Sequence, residues 1–251
     1  MVSEAAAIAG RLVRLAGLLV LAAAAYWVLR QTPLYEFTGR ERDGLGTVIL
    51  LIGNIYAVMF AFVIFVIWGQ FTEVENFVMR ECNSLNEMLR FSEHLDAESG
   101  RLVRRAVEDY AHRVAKSEWP ALAERRRDRQ TEKAFMELIT AVIEMTPAAG
   151  QEAGHQRLIE IGRRAGEHRD ERIAKSMTRV PATLERLVNT MAAALLLLVF
   201  VYPFQHWGAG LVCFAVLATV LFLADLVMTD TDNPFQGICN VSPQPFLDLG
   251  A

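Results

Sequence analysis

Acidic and amide side chains gather near the C-terminal end of the chain. Asp225, Asp230, Asp232 and Asn233 lie close together, and Pro234, Phe235 and Gly237 follow them. Carboxylates beside amide and backbone oxygens suit a hard cation such as calcium. The twelve-residue EF-hand spacing is absent. The same residues also compose a polar turn in which Pro and Gly reverse the chain, and both readings stand. Other reactive side chains are dispersed. The five histidines (His94, His112, His155, His168, His206) have no ligand spacing, and the three cysteines (Cys82, Cys213, Cys239) form no CxxC. Neither a zinc site nor a disulfide framework is expected, and the cysteines read as small packed hydrophobes. The GxSxG, Gly-rich phosphate-loop and HExxH patterns are missing. The expectation is a non-enzyme without a resident cofactor or a confident metal site, calcium being the one ion the acids would suit.

A second group of residues could line a path for ions. Gly53, Ala57 and Ala61 repeat every four residues, a stripe that lets helices approach closely. At 100° per residue, Ile55, Met59, Phe62 and Val66 fall on the opposite face. That bulky apolar face suits either a dewetting constriction or contact with lipid. Asn54, close to the small-residue face, suits an interhelical hydrogen bond or a polar group in a pore, because a buried amide needs a partner.

These residues need membrane-spanning elements to position them. The chain of 251 residues is 53% hydrophobic yet 22% charged, and the two populations are segregated along it. A span takes roughly 20 mainly apolar residues. Four segments qualify, at about 12–29, 45–69, 187–204 and 208–228. None alternates with period two, so helices are expected rather than a barrel. Arg11 and Arg14 flank the start of the first, and Tyr26 and Trp27 end it as an interface anchor. A signal peptide has a similar make-up; we read a membrane helix. The last two segments form a tight hairpin. The expected organisation is a first transmembrane pair over 1–69, a helical domain over 70–186, a second pair over 187–228, and a turn and tail over 229–251. The fold class is therefore an all-α membrane protein with four transmembrane helices in two pairs.

The stretch 70–186 holds 20 of the 25 Lys and Arg residues. The positive-inside rule puts it, and with it both termini, in the cytoplasm of a cell whose inner membrane holds the spans. The first loop runs slightly against this, with three arginines against two at the N-terminus. Val74, Phe77, Val78, Leu85, Met88 and Leu89 share one face, so the second span is expected to continue out of the membrane as one helix. Val103, Val107, Tyr110 and Val114 form another stripe, with a break expected at Pro120. Phe135, Leu138, Ile139, Val142 and Ile143 form a third stripe, ended by Pro147 and Gly150, and a fourth helix is expected over about 156–179. The run Glu124–Arg129 reads as a solvated helix face, or as a contact for anionic lipid or an acidic partner. A net charge of −4 suggests no nucleic-acid partner. The amphipathic stripes can bury against one another or against further copies of the chain.

Several of these residues together resemble the signature of the bacterial bestrophin-like domain family. They are Phe65 to Trp68 running into Glu73, Glu75 and Glu81; Tyr110, Val114 and Glu118-Trp119-Pro120; Arg172-Ile173, Val180-Pro181 and Leu187; and Asp232-Asn-Pro-Phe-Gln-Gly237 followed by Val241-Ser-Pro243 and Pro245-Phe246. The match extends over most of the chain from Tyr56 to Phe246. It implies kinship with bestrophins, pentameric anion channels whose second span lines the pore and whose acids after an Asn-Pro-Phe-Gly turn bind calcium. This sequence departs there. Gln236 interrupts the turn of Asn233, Pro234, Phe235 and Gly237, and Ile238, Cys239 and Asn240 follow where acids are expected. The resemblance implies a homo-oligomeric ion channel passing anions such as chloride. A cation-permeable channel or transporter, drawing on Glu73, Glu75, Asp225 and Asp230, and a non-conducting scaffold or sensor are the alternatives.

Overall fold

Between Arg42 and Ser92 the sequence has no proline and no stop signal, and the computed structural model forms one uninterrupted helix there. The structure describes residues 10, 17, 20–147, 150–237 and 240–249. Among these, every regular element is a helix: α1 (Val20–Leu29), α2 (Pro33–Arg40), α3 (Arg42–Ser92), α4 (Ala97–Arg113), a π-helical turn (Val114–Glu118), α5 (Trp119–Ala123), α6 (Arg129–Glu144), α7 (Glu152–Ser176), α8 (Ala182–Val201), α9 (Trp207–Thr231) and α10 (Gln244–Leu247). At 1.5 Å per residue the 51 residues of α3 extend about 75 Å. The chain divides into two compact units, Met1–Ile67 with Val180–Asp232, and Trp68–Arg179 with Asn233–Ala251.

In unit one, α3, α8 and α9 are long and apolar enough to cross a membrane. The expected first span is described only from Val20 onward and at Gly17, and residues 12–16, 18 and 19 lie outside the described residues. Val63 and Ile67 of α3 are buried with Val180, Val188 and Met228, and Tyr56, Phe60 and Leu184 pack against them. Phe200 of α8 meets Phe214 of α9 edge-on at 5.7 Å, and Tyr26 of α1 meets Phe200 at 5.8 Å. Gly210 permits that approach, since a Cβ there would overlap the Tyr26 hydroxyl. At the far end of α9, the Asp232 carboxylate accepts a 3.1 Å hydrogen bond from the Val180 backbone N–H.

Unit two is a bundle built on the second half of α3. Its core joins Val74, Val78, Leu85 and Met88 of α3 to Val103 and Val107 of α4, Leu138 and Val142 of α6, and Leu158 and Ile161 of α7. Two aspartates start helices as caps. Asp96 accepts from the N–H groups of Glu98 and Ser99, and Asp128 accepts from the N–H and hydroxyl of Thr131 at 3.0 and 2.6 Å. His155 of α7 lies 2.7 Å from the Val142 carbonyl of α6.

Two sequence expectations are corrected here. Pro120 does not break the helix. The π-helical turn widens the spiral just before it, with the Trp119 N–H bonded to the Val114 carbonyl, and Pro120 falls in the first turn of α5, where its missing N–H is not needed. The stop comes five residues later, where Arg125 adopts a φ of 58°. The Glu124–Arg129 run is therefore not a helix face. It is the loop from α5 to α6, and only Arg129 is helical.

Candidate functional site

The apolar positions of α3 divide by angle. Those packed inside unit one, Tyr56, Phe60, Val63 and Ile67, lie on one side. The opposite side is uncovered: Val58 is 70% exposed, Phe62 52% and Phe65 75%. Among the candidate pore residues, Ile55 and Phe62 are exposed at the edge of the uncovered sector, and Met59 and Val66 are half-buried next to the packed side. Asn54 is exposed, and its amide has no hydrogen-bond partner among the described residues. Of the small-residue stripe, Gly53 approaches α8, where a Cβ would lie 3.9 Å from Leu195, whereas Ala57 and Ala61 are exposed.

The acidic residues near the C-terminus are placed apart in role. Asp225 is exposed on α9, Asp230 and Asp232 are half-buried, and Asp232 is tied to the Val180 N–H. Asn233 belongs to unit two and is committed to the turn. Its Nδ2 donates to the Ala123 carbonyl at 2.8 Å, and its Oδ1 accepts from the Phe235 N–H at 3.2 Å. Among the described residues, no three His, Cys, Asp or Glu side chains come together as metal ligands.

That turn fixes a C-terminal strap onto unit two. Pro234 accepts at its carbonyl from the Val241 N–H at 2.7 Å, and the Val241 carbonyl accepts from the Trp119 indole N–H at 3.0 Å. The Trp119 ring meets Phe235 edge-on at 5.0 Å and Phe246 at 5.8 Å. Gly237 closes the turn with a φ of 95°, a left-handed conformation that suits glycine. Ile238 and Cys239 lie outside the described residues.

Beneath the strap is an ionic centre that no local spacing announces. Arg172 is fully buried. Its Nε donates to Glu81 at 2.8 Å and its Nη2 to Glu118 at 2.7 Å. Arg169 donates to the other oxygen of Glu118 at 2.6 Å, and the Tyr110 hydroxyl donates to Glu81 at 2.5 Å. Two cations face two carboxylates, so the centre is neutral as a group. The Arg172 guanidinium also lies over the Trp119 and Phe246 rings at 5.6 and 5.4 Å. Burial alone would push the Arg172 guanidinium down, but Glu81 and Glu118 outweigh it and hold the group well above the usual arginine range. Burial, reinforced by Glu81, pushes the Tyr110 phenol well up. Burial likewise raises the neighbouring Cys82 thiol, again with Glu81 adding to the effect, so that sulfur stays a protonated packing group.

A buried charge needs a partner, and here each carboxylate carries at least two donors. The arrangement orders α3, α4, α7 and the π-helical turn around one point. The partners are 91 and 54 residues apart in sequence, so periodicity could not pair them. The signal that existed was the motif set. Glu81, Tyr110, Glu118-Trp119, Arg172, the Asn233–Phe235 turn, Val241 and Phe246 all meet in this one place.

Comparison with known proteins agrees with that convergence. The model of the Bestrophin-like domain matches residues 16–246. No curated protein matches the sequence. Among solved structures, a bacterial bestrophin homologue from Klebsiella pneumoniae superposes with a TM-score of 0.66 at 12% identity, over 92% of this chain and 96% of that one. A point variant of a Klebsiella pneumoniae bestrophin homologue gives 0.68 at 10% identity, over 92% and 99%. A further crystal structure, described as that of a membrane protein, gives 0.63 at 14% identity, over 92% and 96%. These likenesses show a shared fold.

Proposed function

Because the chain belongs to the bestrophin-like family, we propose that it is an oligomeric ion channel of the bacterial inner membrane, passing anions, with α3 around the axis. The observation that carries this reading is the uncovered apolar sector of α3. Val58, Phe62 and Phe65 are left outside by their own chain, on a helix whose other side is packed. Such a surface calls for lipid or for further copies of the same helix. A ring of copies, five by analogy with bestrophins, would bring this sector or its edge to the axis. Ile55, Phe62 and the half-buried Met59 and Val66 are then the constriction, and Asn54 supplies an amide to the pathway.

In the same reading the chain crosses the membrane four times, through the segment ending in α1 and through α3, α8 and α9. Both termini and unit two face the cytoplasm, where the arginines and lysines concentrate. Calcium binding, if the Asp225, Asp230 and Asp232 carboxylates supply it, would not draw on the Asn233 amide oxygen, which is engaged by Phe235.

The test is flux through the purified protein in liposomes, comparing chloride with potassium and calcium. Chloride flux that rises with protein density is expected. Cation flux without chloride flux would replace the anion channel by a cation channel. No flux of any ion, together with a monomeric protein, would leave the scaffold reading.

A further inference from the structure

We infer that unit one holds a phospholipid at the end where α3 begins, with one acyl chain in an apolar hollow and the phosphate against Arg42. The hollow, of about 330 Å³, lies among α3, α8 and α9 and is lined by Gly46, Ile49, Leu50, Val199, Cys213 and Leu217. Two features of the sequence open it. Gly46 presents no side chain, and a Cβ there would lie 3.8 Å from the Tyr202 ring. The helix α8 stops at Val201, so Tyr202 and Phe204 leave it and meet edge-on at 4.8 Å as the remaining lining. The Tyr35 hydroxyl holds this link by donating to the Phe204 carbonyl.

An apolar hollow with a polar group at one end suits an amphiphile. The polar group is Arg42. Its Nε donates to the Tyr202 hydroxyl at 3.3 Å, and its guanidinium lies over the same ring at 5.9 Å, which seats the charge beside the lining. Its two terminal nitrogens make no hydrogen bond or ion pair among the described residues, and the neighbouring Asp43 carboxylate forms no salt bridge with it. A guanidinium with its fork unused matches two oxygens of a phosphodiester. The depth agrees. The expected span begins at residue 45, so Arg42 stands about 5 Å before it along the helix axis, inside a headgroup layer roughly 5–8 Å thick. Ile49 and Leu50 lie about 10–12 Å from Arg42 along the same axis, at the level of the upper methylenes of a lipid tail. An apolar side chain from a second copy would fill the hollow and leave Arg42 unneutralised, whereas a phospholipid satisfies both.

The inference rests on the membrane reading of α3, α8 and α9. The probe is phosphatidylglycerol carrying a diazirine in one acyl chain, added at one molecule per subunit to the delipidated full-length protein in detergent. An alkane carrying the same diazirine tests the tail without the phosphate. After irradiation, labelled peptides are mapped by mass spectrometry. Lipid label is expected on residues 46–50 and 213–217, and it should fall about tenfold in Arg42→Gln while the alkane label is unchanged. Leu50→Trp, at an exposed lining position, should lower labelling by both probes. Arg40→Gln, an exposed change two residues from Arg42, should leave both as they are. Lipid labelling no stronger than alkane labelling, or lipid labelling that survives Arg42→Gln, would overturn the proposal. So would a hollow that takes neither probe in the assembled oligomer, which would mark it as covered by a second copy. A protein that stays soluble without detergent would instead defeat the membrane reading beneath it.

Discussion

Unit two buries two arginines and two glutamates, whereas unit one buries no charged side chain among its described residues and leaves Val58, Phe62 and Phe65 on α3 outside. The contrast shows which forces each part supplies for itself. In unit two the guanidinium and carboxylate groups pair with one another, leaving Arg172 Nη1 and Arg169 Nε buried without an acceptor, and the strap packs over them. In unit one the helices meet over a small cluster around Val63 and Ile67, and most of the apolar surface is left for surroundings that are themselves apolar. A closed unit can hold its shape alone. An open one takes its shape from whatever covers its apolar surface.

The largest test of this contrast is Arg172→Met. It leaves Glu81 and Glu118 buried with one cation too few, and removing one partner of a buried pair costs about 3–5 kcal/mol. Thermal unfolding in detergent should show unit two melting early while the α8–α9 hairpin stays protected from protease. An unchanged melting temperature would mean the ionic centre does not hold unit two together. Phe246→Ala comes next. It empties a site that is 2% exposed beside Trp119 and Arg172, at about 3 kcal/mol, and should be read as faster hydrogen exchange across residues 240–249.

Asp128→Ala removes the cap of α6 and should cost about 1 kcal/mol at neutral pH. Burial opposes the carboxylate, but the Thr131 hydroxyl and N–H outweigh it and hold the group below its ordinary range. A carboxyl depressed in the folded state stabilises above its unfolded pKa and loses that stabilisation as pH falls through the folded value. The difference between parent and variant should therefore be full near neutrality and shrink in strong acid; a difference that grew on acidification would contradict the cap. Phe62→Ala should have the smallest effect on stability, about 0.5 kcal/mol or less, because that side chain is half exposed. Its effect should fall on flux, raised several-fold if Phe62 narrows a pathway. A large loss of stability with no change in flux would place Phe62 in packing instead.

The helical class and the long apolar segments could be read from the sequence because they are local properties. Hydropathy over about 20 residues and the spacing of Val74, Val78, Leu85 and Met88 already contain α3 and its continuation. The break expected at Pro120 failed because a proline in the first turn of a helix looks, in sequence, like a proline that stops one. The ionic centre was hidden for another reason. Glu81, Glu118, Arg169 and Arg172 sit among many charged residues, and nothing in a single sequence separates the four that are buried from those that are solvated. Only the motif resemblance marked three of them, without saying that they touch. The candidate pore face was half legible. Periodicity grouped Ile55, Met59, Phe62 and Val66, but the position of α8 and α9 decides that Phe62 is outside while its neighbour Val63 is inside.

The π-helical turn at Val114–Glu118 gives the molecule an unusual dependence on chain length. Such a turn amounts to one residue inserted into an α-helix. Deleting Ala115 would leave a regular α-helix with good local hydrogen bonding, and only one half-buried methyl at the edge of the core would be lost. Yet every residue after the deletion would swing by about 100° relative to α4. Glu118 would turn away from Arg172 and Arg169, and Trp119 would leave the carbonyl of Val241. A frame-preserving loss of one small residue would thus do more harm than most substitutions, and insertions or deletions in natural variants of this chain should be found in its loops and tail, not here.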